Sequence, residues 1–179
     1  MKRTIKIIII SILIILWGTR IFMFSAENGE NSQKKSTTAI AKAITIALKI
    51  TNKFGLTNEH PSETRIYQAA EVLDGPARKI MHQAEYFILA MLVMILVNIL
   101  LNYNKYILSF ILTLIACIIF AYFDEFHQTF VIGRSGQLKD VVVDTTGMIY
   151  AIIIYTTYYY TYQNGRKREL NQINNRSDN

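Results

Sequence analysis

Hydrophobic residues are concentrated in four blocks along the chain, and each block is long enough to cross a bilayer as a helix. The blocks are residues 5–24, 80–101, 106–123 and 141–162. A hydrocarbon core about 30 Å thick requires roughly 20 apolar residues in a helix. The fourth block ends in four tyrosines between 158 and 162, which is typical of an interfacial aromatic belt. The pattern predicts an all-α membrane protein, with four transmembrane helices in a bundle that forms one domain, 1–179.

The first block also has features of a secretory signal, because Lys2, Arg3 and Lys6 precede a run of isoleucines. A cleavage site with small side chains would have to follow it. Phe24-Ser25-Ala26 would place a bulky phenylalanine where a small residue is needed. We therefore favour a retained membrane anchor over a cleaved signal.

The segment 25–79 lies between the first two spans, and we expect it to contain one or two short extracytoplasmic helices. The polar run 27–33 indicates a loop. The region 36–54 has an apolar side and a lysine-rich side, so it predicts an amphipathic helix that lies in the membrane interface or packs against the outer face of the bundle. Gly55 is a plausible stop. A second helix starts at the signal Pro61-Ser62 and is expected to break at 74–76, Asp-Gly-Pro.

Composition and charge exclude a soluble enzyme and point to lipid as a partner. Apolar residues make up 51% of the chain and charged residues 18%, against about 25% in an ordinary soluble domain. The net charge of +6 (19 − 13) is concentrated at the two ends, where anionic lipid accounts for it and no nucleic acid is needed. The single cysteine excludes a disulfide framework within the chain, and no Cys/His grouping indicates a zinc site.

The distribution of basic residues predicts that both termini are cytoplasmic. Lys2, Arg3 and Lys6 precede the first span and an Arg-Lys-Arg run at 166–168 follows the fourth, which an even number of spans allows. The segment 25–79 and the loop 124–140 then lie outside, and the tail 163–179 lies inside. The sequence does not indicate an oligomeric state.

Ionisable and polar residues cluster where the spans reach the outer side. Arg78, His82 and Glu85 are spaced four and three apart and share one helix face, and the same arithmetic pairs Asp124 with Gln128 and Asp140 with Asp144. The candidate polar site consists of Arg78, His82, Glu85, Asp124, Glu125, Gln128, Arg134, Asp140 and Asp144.

A carboxylate inside hydrocarbon is costly, so Glu85 and Asp144 require partners, and Arg78 and Arg134 are the expected counter-ions. We therefore expect one shared polar pocket at the outer mouth of the bundle. It is either a binding or catalytic site or a set of helix caps and salt bridges, with Asp140 capping the fourth helix. A site for Mg²⁺ or Ca²⁺ on the carboxylates is a further alternative, although no ligands of fixed spacing support it and we predict no metal and no cofactor.

Three motifs resemble those of the VanZ-like family of bacterial membrane proteins. The most specific is Asp-Glu-Phe-His-Gln-Thr-Phe at 124–130, followed by Gly-Arg-Ser-Gly at 133–136, Asp140, Asp144 and Gly147. The run from Arg78 to Tyr86 resembles the second motif, and Phe24-Ser25 with the polar residues after it resembles the first. The three occur in the family's order, and the resemblance covers residues 10–160.

The resemblance implies a multi-pass protein of the bacterial cell membrane. It also implies lowered susceptibility to the glycopeptide teicoplanin, more than to vancomycin, by an undefined mechanism at the outer membrane face. A glycopeptide antibiotic or a cell-wall precursor is then a candidate partner. The alternative is a membrane-embedded enzyme that acts on a lipid-linked or amphiphilic envelope substrate, since His82, carboxylates and arginines could supply acid/base chemistry and phosphate binding. A small transporter has less support, because the third span is free of charge.

Overall fold

The computed structural model describes residues 2–102 and 105–177, and the side chains of all of these except 164 and 167–177. This part of the chain forms five helices and contains no strand. The helices are α1 Arg3–Ser25, α2 Gly29–Lys53, α3 Glu63–Leu100, α4 Tyr106–Gln128 and α5 Leu138–Ser177.

Four helices are long and apolar enough to cross a membrane: α1, α3, α4 and the part of α5 from Leu138 to Gln163. This confirms the predicted four-helix membrane architecture. α3 lies at the centre and contacts every other helix, while α5 packs on α3 and α4, and α1 packs mainly on α3. A hydrophobic core that includes Ile21, Tyr86 and Met148 joins these helices.

A stripe of small residues lets α4 approach its neighbours closely. Ser109, Thr113, Cys117 and Ala121 are spaced four apart and are all buried. Small side chains at such spacing allow helix backbones to come together where no water is present to drive association. The same face continues into Asp124, Glu125 and Gln128, so the α4 face that packs the bundle core also carries the polar residues of the third motif.

α2 and the first part of α3 form an antiparallel hairpin that projects beyond the bundle. With 38 residues, α3 is about 57 Å long, which is almost twice the hydrocarbon thickness. Among the helices of the described residues α2 contacts only α3, and its start also contacts the loop between α4 and α5 through Gly29 and Ser32. Ser62 caps the start of α3 as predicted, and Gly55, with φ +67°, follows the end of α2.

Two predicted interruptions in this hairpin are wrong. The polar run 27–33 is helical from Gly29, because the Asn28 side chain accepts a hydrogen bond from the Glu30 N–H and caps α2. α3 also runs through Pro76 without a break. Pro76 has no backbone N–H to donate, and contacts of the neighbouring residue Asp74 compensate for this loss. Asp74 accepts a hydrogen bond from Ser36 on α2 and lies 3.9 Å from Arg78.

Two further boundaries differ from the prediction around the third motif. Asp124, Glu125 and Gln128 were expected in or next to a loop but lie on α4, which ends at Gln128. Their side chains face the interior of the bundle, so the helix continues as far as they do. α5 begins at Leu138, which places Asp140 within its first turn and not at its cap position. A carboxylate there still complements the positive end of the helix dipole.

Candidate functional site

A polar cavity of about 290 Å³ lies at the end of the bundle where α4 finishes and α5 begins. We call it the motif cavity, because it is built from the second and third sequence motifs. It is lined by Asp74, Gly75, Arg78, Lys79, His82, Glu125, Gln128, Gly133, Arg134, Ser135, Asp140, Val143 and Asp144.

The last turn of α4 contributes a hydrogen-bonded group of buried side chains. The Gln128 amide donates to Asp124 Oδ2 at 3.3 Å and to Glu125 Oε1 at 3.2 Å. The Tyr86 hydroxyl donates to Asp124 Oδ2 at 3.3 Å. Asp124 is therefore held behind the cavity wall between α3 and α4, while Glu125 and Gln128 face the cavity.

Glu125 also fixes the loop 129–137. Its Oε2 accepts a hydrogen bond from the Gln137 N–H at 2.9 Å. Gly136 lies against the Glu125 carbonyl so closely that a Cβ at this position would be 2.0 Å from the oxygen. The glycine of the third motif is thus required by the close approach of the loop to α4.

Arg134 joins this loop to the first motif. Its guanidinium donates to the carbonyls of Phe24 and Glu27, at 3.1 and 3.2 Å, and to Ser32 Oγ at 2.9 Å. Among the described residues, Arg134 has no carboxylate within ion-pair distance. Burial, with a smaller effect from nearby Arg78, lowers the pKa of Arg134, but guanidinium groups stay protonated in proteins. A half-buried cation without a paired anion therefore faces the cavity.

α3 supplies Arg78, Lys79 and His82 to the cavity wall. Arg78 is 3.9 Å from Asp74 of its own helix, which is a long ion pair. His82 is partly buried, and its Nδ1 lies 3.9 Å from Glu85 Oε2, beyond hydrogen-bond distance. This nitrogen has no hydrogen-bond partner among the described residues.

The counter-ion of Glu85 is Arg20 on α1, and the prediction of Arg78 or Arg134 is wrong. Arg20 Nη1 lies 2.9 Å from Glu85 Oε1. The guanidinium also lies over the rings of Trp17 and Phe24, 4.6 and 4.8 Å from their centroids. Trp17 Nε1 donates to the Glu85 carbonyl at 2.9 Å. Glu85 thus faces α1 because the partner it needs sits on the neighbouring span.

α5 places Asp140 and Asp144 on one side of the cavity, one turn apart. Asp140 is half-buried, and Asp144 is only 2% exposed. Within the described part of the chain, the Asp144 side chain makes no hydrogen bond or ion pair. The expected pairing of Asp144 with Arg78 or Arg134 is therefore also wrong, and its carboxyl group remains available to the cavity.

Seven of the nine predicted site residues line the motif cavity, and Glu85 and Asp124 lie behind its wall. Neither of these two faces lipid. Sequence reasoning missed Arg20 as a partner and Asp74 as a wall residue. An arginine inside an otherwise apolar helix was the available signal for Arg20, because such a charge requires a partner. No group of three or more His, Cys, Asp or Glu in the described residues could hold a metal ion.

The chain was then compared with known proteins. The model of the family described as VanZ/LLP1 matches residues 10–159. The chain belongs to this family. The match covers all three motifs and the whole motif cavity, and it confirms the resemblance predicted from the sequence. Comparison with curated proteins and with solved structures found no match.

Proposed function

We propose that this VanZ-like protein acts at the outer face of a bacterial membrane, where the motif cavity binds the anionic group of an amphiphilic envelope molecule. In a bacterial host this binding lowers susceptibility to teicoplanin. The observation that carries the proposal is the guanidinium of Arg134, which has no ion-pair partner among the described residues. It lines the cavity together with Arg78 and Lys79, opposite a carboxylate group made of Asp74, Glu125, Asp140 and Asp144. Nε and Nη2 of Arg134 already donate to two carbonyls and Ser32, so Nη1 would donate to the anion, while the planar fork of Arg78 is suited to bidentate binding of phosphate or carboxylate.

The position of the cavity supports an amphiphile over a fully water-soluble ligand. The motif cavity lies at one end of helices whose outward faces are apolar, so a bound polar group would be level with lipid headgroups. The basic residues at both chain ends favour a cytoplasmic position for the termini, on the side of the membrane opposite to the motif cavity. In this proposed orientation the cavity is outside, where glycopeptides and lipid-linked wall precursors are present.

The proposal is tested by binding of ethyl phosphate to the protein purified in an uncharged maltoside detergent. We expect Arg78→Gln to weaken binding by about ten- to a hundredfold, as for loss of a hydrogen bond to a charged group. Among the described residues Arg78 makes no ion pair other than a long one with Asp74, so we expect this substitution to leave the fold intact. The matched control is Arg65→Gln, an exposed arginine on the same helix. Equal affinities of wild type and Arg78→Gln would contradict the proposal.

The second candidate function is an enzyme that acts on the bound amphiphile. It is favoured by His82, which lines the cavity with Glu125 and Asp144 while its buried Nδ1 lies 3.9 Å from Glu85 Oε2 behind the wall. A histidine beside carboxylates can move a proton near neutral pH. Envelope lipids and wall precursors from cells with wild type, His82→Gln or empty vector test this function. A new or depleted species that only the wild type produces supports an enzyme, and identical profiles contradict it.

A further inference from the structure

A second cavity of about 220 Å³ lies beside the motif cavity, between the end of α4 and the start of α5. We call it the side cavity. Its large side chains are Tyr122, Phe126 and Leu138, and it is completed by Glu125, Thr129, Gly136 and Gln137. Its lining therefore differs sharply in character from that of the motif cavity, which is rich in charge.

The apolar wall of the side cavity is directed away from the bundle core. Tyr122, Phe126 and Leu138 are 49%, 52% and 69% exposed. Tyr122 and Phe126 are four residues apart on α4, on the face opposite the buried stripe that carries Asp124 and Gln128. Tyr122, Phe126 and Leu138 all lie within helices long and apolar enough to cross a membrane, so in a bilayer lipid would contact this face and the side cavity would open toward it.

Glu125 lines both cavities and is the residue that they share. Its carboxylate is fixed by hydrogen bonds from Gln128 and from the Gln137 N–H. A polar site and an apolar groove thus adjoin across a single residue. An amphiphile has the same arrangement, because its charged group is joined directly to a hydrocarbon chain.

We infer that the side cavity binds the first carbons of the hydrocarbon chain of the amphiphile whose anionic group occupies the motif cavity. The ligand reaches the site laterally from the bilayer, and its chain stays in contact with Tyr122, Phe126 and Leu138. The inference rests on the proposed function, because it requires an anionic amphiphile in the motif cavity.

The test compares dodecyl phosphate with ethyl phosphate, which carry the same headgroup on a long and a short chain. Wild-type protein should bind dodecyl phosphate at least about tenfold more tightly, since each buried methylene contributes to affinity. Leu138→Trp fills the side cavity and should remove most of this preference without changing the affinity for ethyl phosphate. Leu138 is 69% exposed, so the larger ring can be accommodated.

Ile132→Trp is the matched control, because Ile132 is 80% exposed at the same end of the bundle and lines neither cavity. It should keep the preference for the long chain. Partition of dodecyl phosphate into detergent is common to all variants and cancels in the comparison. An unchanged preference in Leu138→Trp overturns this inference alone. Failure of wild type to bind ethyl phosphate overturns the proposed function and the inference together.

Discussion

Arg20 and Glu85 form an ion pair between two spanning helices, with Nη1 and Oε1 2.9 Å apart although the residues are 65 positions apart in sequence. The pair lies next to the motif cavity, one turn beyond His82. It satisfies two charges that hydrocarbon would otherwise penalise. It also ties α1 to α3 at the level where the first motif meets the second, so the position of α1 depends on it.

Loss of Arg20 should destabilise the protein. Arg20→Leu leaves Glu85, with 10% of its side chain exposed, without a counter-ion. We expect the free energy of unfolding in detergent to fall by about 1–3 kcal/mol, the cost of an unsatisfied buried polar group. The midpoint of thermal unfolding measures this change.

The double variant Arg20→Leu with Glu85→Gln should recover part of the loss, because it removes the unpaired charge as well. Arg65→Leu, at an exposed arginine on the hairpin, should leave the midpoint close to that of wild type. If Arg20→Leu were as stable as Arg65→Leu, the pair would not contribute to the fold.

Gly147 should not tolerate even one methyl group. A Cβ at this position on α5 would lie 2.2 Å from the Gln83 carbonyl on α3, so Gly147→Ala must push the two helices apart. Overpacking of this kind typically costs about 1–3 kcal/mol. Thermal unfolding should show the loss, and binding of ethyl phosphate should weaken, because α3 and α5 form opposite walls of the motif cavity.

Gly165→Ala is the matched control for Gly147→Ala. Both glycines lie on α5, but a Cβ on Gly165 would have no non-neighbouring heavy atom of the described residues within 4 Å. Replacement by alanine there should be neutral or stabilising by up to about 1 kcal/mol, since alanine favours the helix. A destabilisation equal to that of Gly147→Ala would show that crowding is not the cause.

Chemical labelling should locate the hairpin outside the cell. Cys117 is buried, and Cys117→Ala provides a background without thiols. Glu59→Cys, in the exposed turn of the hairpin, should react with a membrane-impermeant maleimide in intact cells. Gly165→Cys, beyond the fourth span, should react only after the cells are permeabilised. The reverse pattern would contradict the orientation on which the proposed function depends.

The sequence predicted the spans well because hydrophobic length is a local property of the chain. Helix spacing also grouped Asp124 with Gln128, and both lie on the buried face of α4. The pairing of Arg20 with Glu85 was missed, because their proximity depends on how α1 packs on α3. The continuity of α3 through Pro76 was missed for a similar reason, since it depends on a hydrogen bond that Ser36 on α2 donates to Asp74.

The role of Arg134 could not be derived from residue types either. An arginine near several carboxylates suggests an ion pair, yet its donors reach two main-chain carbonyls and Ser32. Residue types do not indicate which backbone carbonyl will accept a hydrogen bond, because every residue carries one. This difference matters for function, since no carboxylate in the described part of the chain forms an ion pair with Arg134.

The most direct test of the central claim is teicoplanin susceptibility, measured beside vancomycin in a susceptible Gram-positive host. The host carries wild type, Glu125→Gln, Glu59→Gln or empty vector, with equal amounts of protein in the membrane. Glu125 lines both cavities, whereas Glu59 is exposed in the turn of the hairpin. The account predicts a teicoplanin-selective rise in resistance with wild type and Glu59→Gln, and its loss with Glu125→Gln. No shift with wild type, or an equal shift with Glu125→Gln, would contradict it.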